Sequence, residues 1–554
     1  MYQCPNCGGH VVFDPALQKM KCEFCDSLFD PEPGDIPEQS EETSKPQVSV
    51  KEANDKYEAN VFTCPQCGGE IISDENTAVT FCSYCGGSTV LEGRLAKIRK
   101  PDYVIPFSMT KEQAEEAYHK ALNKSLFAPA SMKQDSVVER FRGIYMPYWI
   151  YDFKTEGRTL VHGQKDHRRG DYIYHDHYEI ESDLEADYDG ISFDASSSFA
   201  DSLSSAIAPY DISARENFDK GYLAGFYADT SDITQSVYKR EARNIVKRDA
   251  ANRLVKSQEY RKYNASFSDA MRNVGPDTES STMGYFPVWF LSNRTGDRVS
   301  YAVVNGQTGR VAMDIPISFG KYLLGALVVA FPIFMLFNGV FTITPTVVVI
   351  LAMLLGLIAA IVNGVQKHTL YVRENYLDDA GMRARQSSEA RKAKREAAKA
   401  AKEAGEEVEE PEIESEEAES TKELDTDPLK TFGFIVFAIV ITSLLNVIGV
   451  IIVFLVYKYV MSNNAVVPSK VAVKSKPVEK VPAGAVCSAI WKPLVGILVG
   501  IITLIIHPVS DLYYYGATLV VLAFMLWSFY DMVHLHNQLS SRPLPQFNRR
   551  GGDE

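Results

Sequence analysis

Hydrophobic residues are arranged along this 554-residue chain in two ways, as long uninterrupted runs after residue 320 and as short alternating stretches before it. An apolar helix needs about 20 residues to cross the roughly 30 Å of hydrocarbon in a bilayer. Most of the long runs meet that length, and Asn338-Gly339 and His507-Pro508 join two pairs of them as hairpins. The five runs are 322–337, 340–362, 432–460, 490–506 and 512–529. The pattern predicts an α-helical transmembrane region held in a lipid bilayer.

The stretch 94–316 has the pattern of a soluble α+β domain. Alternating apolar residues predict strands over 103–107, 144–153, 158–162 and 172–181. Thr110 and Gln113 form a capping box that opens a helix reaching about Lys124, and a long charged helix is predicted over 232–260. The segment YMPYWIY at 145–151 is echoed by YFPVWFL at 285–291, which indicates a weak internal duplication. The hairpin signal NGQTG at 305–309 closes the domain.

Eight of the nine cysteines form CxxC pairs near the N-terminus. Two residues between cysteines let one tight turn direct both sulfur atoms at a single ion, and four thiolates complete a closed tetrahedral zinc site. The pairs form an internal repeat of two four-cysteine sets with identical spacing: Cys4, Cys7, Cys22 and Cys25, then Cys64, Cys67, Cys82 and Cys85. The spacing predicts two small β zinc ribbons, over 1–29 and 59–93, with two structural zinc ions. A redox role is disfavoured because no βαβ pattern surrounds the pairs.

The segments that join these regions are polar or charged. The proline-rich acidic stretch 30–58 is predicted to be a disordered linker. The charged loop 365–430 divides into a basic, alanine-rich part, 383–402, and a part with ten acids and no base, 403–419. A Lys-rich loop is expected at 462–488 and a polar tail at 533–554. The membrane segments between them are then a hairpin at 320–364, a transmembrane or re-entrant segment at 431–461, and a second hairpin at 489–532.

Charge and chain order suggest where the protein lies and what it binds. The formal charge is −14, and 62–92 contains no Lys or Arg, so nucleic acid is disfavoured as a partner of the ribbons. The N-terminus shows no signal-peptide pattern and is expected in the cytoplasm of a multi-pass cell-membrane protein. Five crossings would place the Lys-rich loop and the tail outside, against the positive-inside rule. A re-entrant 432–460 keeps them inside, although each half would span only about 21 Å, so both topologies stay open.

Four histidines that lie close together in the sequence offer a second metal site or simply a polar strand face. They are His162, His167, His175 and His177. No helical spacing and no third fixed ligand supports the metal site, so the solvated strand face is favoured. The sequence also lacks G-x-S-x-G, H-E-x-x-H and a Gly-rich phosphate loop, and an enzyme is not predicted.

Several motifs resemble those of a family of bacterial zinc-ribbon membrane proteins, whose members are often labelled as TFIIB-type zinc-ribbon proteins or as primosomal helicase-like. The motifs are the paired CPxC ribbons, KPDYVIPF at 100–107, the segment 145–151 and DKGYLAGF at 219–226. The resemblance covers most of 1–316, and the helicase label rests on CxxC spacing alone. Some relatives are encoded beside phage-shock-protein-like and flotillin-like proteins, so the resemblance implies a role in membrane stress.

Three functions follow as hypotheses. The first is a non-enzymatic membrane scaffold or sensor whose cytoplasmic part recruits cytoplasmic or membrane proteins. The second is a membrane-tethered nucleic-acid-binding protein, which would show strongly salt-dependent retention on DNA or RNA. The third is a channel or transporter subunit, which the lack of charged residues at the centres of the apolar runs disfavours.

Overall fold

The described residues form, in chain order, two four-cysteine clusters, a soluble α+β sheet domain and a group of apolar helices. The structure is a computed structural model that describes residues 4–31, 56–73, 82–87, 92–134, 137, 140–340, 344–376 and 483–545. Most of the predicted linker, charged loop and Lys-rich loop, and all of 431–461, lie outside these residues. The predicted α+β domain and the helical C-terminal region are confirmed at this level.

The first four-cysteine segment makes a three-stranded antiparallel sheet. Its strands are β1 (Val11–Asp14), β2 (Lys19–Cys22) and β3 (Leu28–Phe29). Val11, Phe13 and Met20 are buried and join the main hydrophobic core. The Phe13 N–H donates to the carbonyl of Ala224 at 3.0 Å. The first ribbon therefore packs against the sheet domain through residues of the 219–226 motif.

A second sheet contains twelve strands among the described residues. In chain order they are β4 (Lys56–Thr63), β5 (Glu70–Ile72), β6 (Glu92–Arg99), β7 (Tyr103–Val104), β8 (Arg142–Arg169), β9 (Tyr172–Asp194), β10 (Glu216–Asn217), β11 (Tyr227–Asp229), β12 (Asp277–Thr295), β13 (Arg298–Asn305), β14 (Val311–Met313) and β15 (Arg542–Pro543). The main path is β10-β7-β12-β8-β11-β5-β4-β6, while β9 pairs with β8, and β13 pairs with β12, β14 and β15. The echoed segments 145–151 and 285–291 are neighbours at its centre, where Met146 pairs with Phe286.

The second four-cysteine segment is part of this sheet rather than a separate domain at 59–93. Its strands β4, β5 and β6 form one end of the path, because β5 pairs with β11, which runs parallel to β8. Strand β4 begins at Lys56, inside the predicted linker, and β6 continues to Arg99, beyond the predicted boundary. Pairing with β11 supplies the hydrogen bonds that an isolated ribbon would leave to water.

In the part of the chain that the structure describes, the helices on the sheet domain are α1 (Lys111–Asn123), α2 (Asp201–Ile207), α3 (Ser236–Lys256), α4 (Gln258–Arg261) and α5 (Phe267–Asn273). The capping box predicted at Thr110 and Gln113 is present at the start of α1. Helix α3 begins later than the predicted 232, because the N–H groups of Asp232 and Ile233 bond to the carbonyl of Ala195 and hold that segment outside the helix.

Strands β8 and β9 form an arm that the sequence did not predict. The first part of β8, Arg142 to Lys154, pairs with β12. From Tyr148 onward β8 also pairs with β9, and this pairing continues beyond β12 up to Arg169 opposite Tyr172. Helices α3 to α5 cover the base of the arm. All residues from 165 to 177 are exposed. The predicted strands 144–153 and 158–162 are therefore parts of one 28-residue strand.

The C-terminal helices are α6 (Phe319–Val340), α7 (Pro345–Tyr376), α8 (Ala483–Ile506) and α9 (Asp511–Leu539). Helices α7, α8 and α9 pack together, with Leu370, Ala489 and Leu535 meeting near the end that faces the sheet. Among the described residues, three segments are long and apolar enough to cross a membrane: Pro345–Tyr371, Val486–Ile506 and Asp511–Leu539. Membrane association is thus indicated, whereas the predicted segment 432–460 lies outside the described residues.

Both α7 and α9 continue beyond their apolar runs to reach the sheet. The Arg298 guanidinium donates to Glu374 of α7 (2.8 Å), to the carbonyl of Gln538 in α9 (2.8 Å) and to Ser541 (2.9 and 3.0 Å). Strand β15 then pairs with β13. Part of the predicted polar tail from 533 is therefore helix and strand, and the ends of α7 and α9 lie on the same side of the bundle as the sheet.

Candidate metal centres

The four CxxC pairs adopt one backbone conformation. In each, the N–H four residues after the first cysteine donates to the carbonyl of that cysteine at 2.7 to 3.1 Å. The N–H of the first cysteine donates to the carbonyl five residues on, at 2.9 to 3.0 Å. Three of the turns have a glycine after the second cysteine, Gly8, Gly68 and Gly86, with φ of 70°, 74° and 68°. Glycine adopts this left-handed conformation at little cost, so the sequence favours the turn.

Asp26 takes the same left-handed position in the fourth turn, with φ of 55°. Aspartate enters this region more readily than most residues, although a Cβ there still costs about 1 kcal/mol or more. The Asp26 N–H donates to the carbonyl of Cys22 at 3.1 Å, so the turn closes as the others do. The departure from glycine therefore leaves the turn intact and adds backbone strain to the first cluster.

The turns bring the eight predicted cysteines together in two groups of four. Within each group the sulfur atoms all lie within 4.8 Å of one another. In the first group the Cys4–Cys25 and Cys7–Cys22 sulfur pairs are each 3.5 Å apart. In the second, Cys64–Cys85 is 3.8 Å and Cys67–Cys82 is 3.7 Å. Each group could hold one metal ion, which agrees with the prediction of two sites.

The first cluster is partly open to solvent. Cys7 and Cys25 are exposed, whereas Cys4 and Cys22 are buried against the small sheet. The Cys25 sulfur lies 3.1 Å from the Ser27 hydroxyl, and hydrogen bonds from Ser27 lower the pKa of the Cys25 thiol to about 6. One side of this site is therefore accessible to water, chelators and oxidants.

The second cluster is enclosed by the sheet domain. All four of its cysteines are buried, and so is Tyr84, which lies between Cys82 and Cys85. The Tyr301 hydroxyl donates to the Tyr84 carbonyl at 2.7 Å, and the ring of Phe290 packs edge-on against Tyr84 at 6.0 Å. Arg294 donates to the side-chain oxygen of Gln66 at 3.1 Å. Residues of β12 and β13 thus hold this cluster in place.

A buried carboxyl lies beside the second cluster. Burial raises the pKa of Asp229 to about 7, although hydrogen bonds from Ser196 and Tyr84 favour its charged form. Burial and the nearby Asp229 raise the pKa of Tyr84. The sequence around Asp229 carried no motif that pointed to this position, because its burial depends on pairing of β11 with β5 and β8.

The four histidines are spread over the arm. His162 contacts Asp269 at 3.0 Å, His167 contacts Asp176 at 3.2 Å, and His175 contacts Asp166 at 2.7 Å. Each of these three is paired with a different acid. In the part of the chain that the structure describes, only the two cysteine clusters bring three or more potential metal ligands together.

Comparison with known proteins gives one similarity without a functional description. The chain is 29% identical over 327 residues to an uncharacterized protein, YdjG, of Bacillus subtilis (strain 168). The matched region is 58% of this chain and 91% of the relative. No protein-family model and no solved structure matches the chain. The family resemblance read from the motifs therefore stays a prediction.

Proposed function

We propose that the chain is a non-enzymatic integral membrane protein whose sheet domain faces the cytoplasm and recruits other proteins. The observation that carries this proposal is the tip of the β8–β9 arm. There Tyr172, Ile173 and Tyr174 are 73%, 61% and 47% exposed. Adjacent exposed apolar side chains on a projecting element are typical of protein interaction sites.

The tip lies at the far end of the sheet from the membrane helices. Arg298, at the start of β13, contacts α7 and α9 and pairs with Thr295 of β12. Five residues earlier in β12, Phe290 pairs with Arg142 at the start of β8. Strand β8 runs away from that end for 28 residues, which at about 3.3 Å per residue extends roughly 90 Å. The arm thus presents its apolar tip to soluble proteins rather than to lipid.

Zinc is the ion that the cysteine clusters suit best. Four thiolates at the Zn–S distance of about 2.3 Å form a tetrahedron whose sulfur atoms are about 3.8 Å apart. The sulfur separations of 3.5 to 3.8 Å fit this tetrahedron. A zinc ion would stabilise each turn, and the enclosure of the second cluster supports a structural role there.

The attachment of β15 to β13 supports a topology in which both ends of the chain are cytoplasmic. Helices α7 and α9 both end on the side of the bundle that carries the sheet. Ala489, near the start of α8, packs with Leu370 of α7 and Leu535 of α9 at that side. The chain therefore leaves α7 and enters α8 on one side. With the N-terminus inside, the Lys-rich loop and the tail stay inside, as the positive-inside rule favours.

Affinity isolation of the detergent-solubilised full chain tests the recruitment proposal. The variant Tyr172→Ser, Ile173→Ser, Tyr174→Ser removes the apolar tip, and Leu95→Ser removes an exposed apolar side chain elsewhere (63% exposed). Proteins that co-purify with wild type and Leu95→Ser, but are lost from the tip variant, support the proposal. Recovery of the same proteins with all three chains, or of none with wild type, contradicts it.

One observation favours the transporter alternative. Lys492 of α8 and Asp531 of α9 form an ion pair of 2.5 Å within the bundle, and the buried Asn363 of α7 donates to the Ser528 hydroxyl at 2.8 Å. Polar groups inside membrane helices often mark a transport path. Ion or solute flux in liposomes that is lost in Asp531→Asn supports this alternative, and the absence of flux leaves these groups as contacts between helices.

A further inference from the structure

The two faces of the arm carry opposite charge along the same stretch of β8. Helix α3 covers one face and contains seven basic and two acidic residues, a net charge of +5 in a chain of net −14. The opposite face of the arm carries a row of acids from β9. The arrangement suggests a contact between neighbouring copies of the chain.

The outward side of α3 is a row of cations, which we call the basic ridge: Arg240, Arg248 and Lys256. Each follows a buried residue by two positions, and so points about 200° away from it around the helix. The buried residues are Tyr238, Val246 and Leu254, which pack on the sheet and the arm. The ridge cations are exposed, and among the described residues none of them has an ion pair within 4 Å.

The opposite face of the arm is acidic, and we call its β9 side the acidic row: Glu179, Glu181, Asp183, Glu185 and Asp187. All five are exposed. Alternate residues of a strand share one face, and the even-numbered residues of β9 face α3, as the bond of 3.1 Å between Tyr188 and Asp249 shows. Three residues of β8 neighbour the row. Arg158 lies 3.4 Å from Glu181 and 3.6 Å from Asp183, His162 lies 3.6 Å from Glu179, and Lys154 pairs with Asp187, so the row keeps an excess of acids.

The ridge and the row lie at equal positions along the arm. Helix α3 packs near Trp149 and Phe153 at one end and near Val161 at the other. The acidic row pairs with β8 from Lys154 to His162. Successive ridge cations are eight residues apart in the helix, which is about 12 Å. Two acids of the row that are four residues apart in the strand are separated by about 13 Å, so the two spacings nearly match.

We infer that the basic ridge of one copy binds the acidic row of a second copy, so that chains anchored in one bilayer associate side by side. Membrane anchoring, which is part of the proposed function, holds all copies at one height and so brings ridge and row into register. Because the two surfaces differ, the contact repeats from copy to copy and builds a ring or a row rather than a closed dimer. Such a contact between exposed charges weakens with salt.

Energy transfer between full-length copies carrying donor or acceptor fluorescent proteins, reconstituted in liposomes, tests this inference. The ridge variant is Arg240→Glu, Arg248→Glu, Lys256→Glu, and the row variant is Glu181→Lys, Asp183→Lys, Glu185→Lys. Energy transfer is expected to fall to the level of random proximity in the ridge variant and in the row variant. It is expected to return in the chain that carries both sets of substitutions, because its ridge and row again have opposite charge. A matched control with the same charge change is Lys100→Glu, Lys120→Glu, Lys124→Glu, in which transfer persists.

Any of three results overturns the inference. Energy transfer between wild-type copies is at the random level, transfer is unchanged in both the ridge variant and the row variant, or the chain that carries both sets fails to restore it. Binding of labelled oligo(dT) or poly-glutamate to the ridge without transfer between copies assigns the ridge to another partner and also overturns it. The isolation experiment with the tip variant is independent of these results. Recovery of the same proteins with wild type and the tip variant, together with normal transfer, therefore contradicts the proposed function and leaves this inference standing.

Discussion

Replacing Arg298 should release the end of the chain from the sheet domain. In Arg298→Ala the four hydrogen bonds to α7, α9 and Ser541 are lost. A hydrogen bond with a charged partner contributes about 1.5 to 3 kcal/mol, but the Arg298 and Glu374 side chains are 19% and 32% exposed, so water replaces part of it. We expect a net loss of about 3 kcal/mol in the local stability of β15.

Hydrogen–deuterium exchange of the solubilised protein measures this loss directly. Local opening controls exchange of the Leu544 N–H, which donates to the Asp297 carbonyl at 3.2 Å. At 1.36 kcal/mol per factor of ten, exchange should accelerate roughly 100-fold in Arg298→Ala. Arg294→Ala is the matched control, because Arg294 lies in the same hairpin and bonds to Gly296 and Gln66 rather than to the helices. An acceleration below threefold, or an equal one in both variants, refutes the assigned role of Arg298.

Four further outcomes are expected. A chelator should remove one metal ion rapidly and the second only on unfolding, by native mass spectrometry, because Cys7 and Cys25 are exposed and the second cluster is buried. Asp26→Gly should hold its metal about fivefold more tightly in a dye competition, since it relieves about 1 kcal/mol of backbone strain. Burial raises the pKa of Asp229 in the folded state to about 7. The stability that its protonated carboxyl contributes is therefore complete below about pH 4 and is lost as the pH rises towards 7. Thermal unfolding measured from about pH 4.5 to 8 should show this decline in the wild type, and Asp229→Asn should lack it. A reporter fused after residue 554 should be cytoplasmic, and reporter activity on the other side of the membrane would contradict the proposed topology.

The cysteine clusters were predictable because their determinants are local. The spacing of Cys64, Cys67, Cys82 and Cys85 selects the turns, and glycine at the left-handed position favours them without help from the rest of the fold. Even Asp26, which departs from that pattern, closes its turn by the same backbone bonds. A few residues of sequence therefore specify which sulfur atoms meet.

The arm and the shared sheet were not predictable, because their determinants are distant partners. The alternation of apolar and polar residues in β8 predicts two separate strands, 144–153 and 158–162. No local pattern indicates that β9 pairs with β8 at 21 positions. Likewise, nothing within 59–93 shows that β5 will pair with β11, which lies far later in the chain. Pattern along a chain indicates that a strand exists, whereas its neighbours depend on the packing of the whole domain.

The last strand of the sheet has a consequence for biosynthesis. One edge of strand β13 is shared between β14 and β15. The segment that fills the second part of that edge, β15, is made only after the described apolar helices α6 to α9. A nascent chain therefore carries an incomplete sheet edge while the apolar helices are being inserted. Only a chain that has been translated beyond Pro543, with the end of α9 at the sheet, can cover Arg298 and Val299. A chain truncated before Arg542, or one in which α9 is inverted, therefore keeps this part of the edge of β13 open, and an open strand edge promotes aggregation.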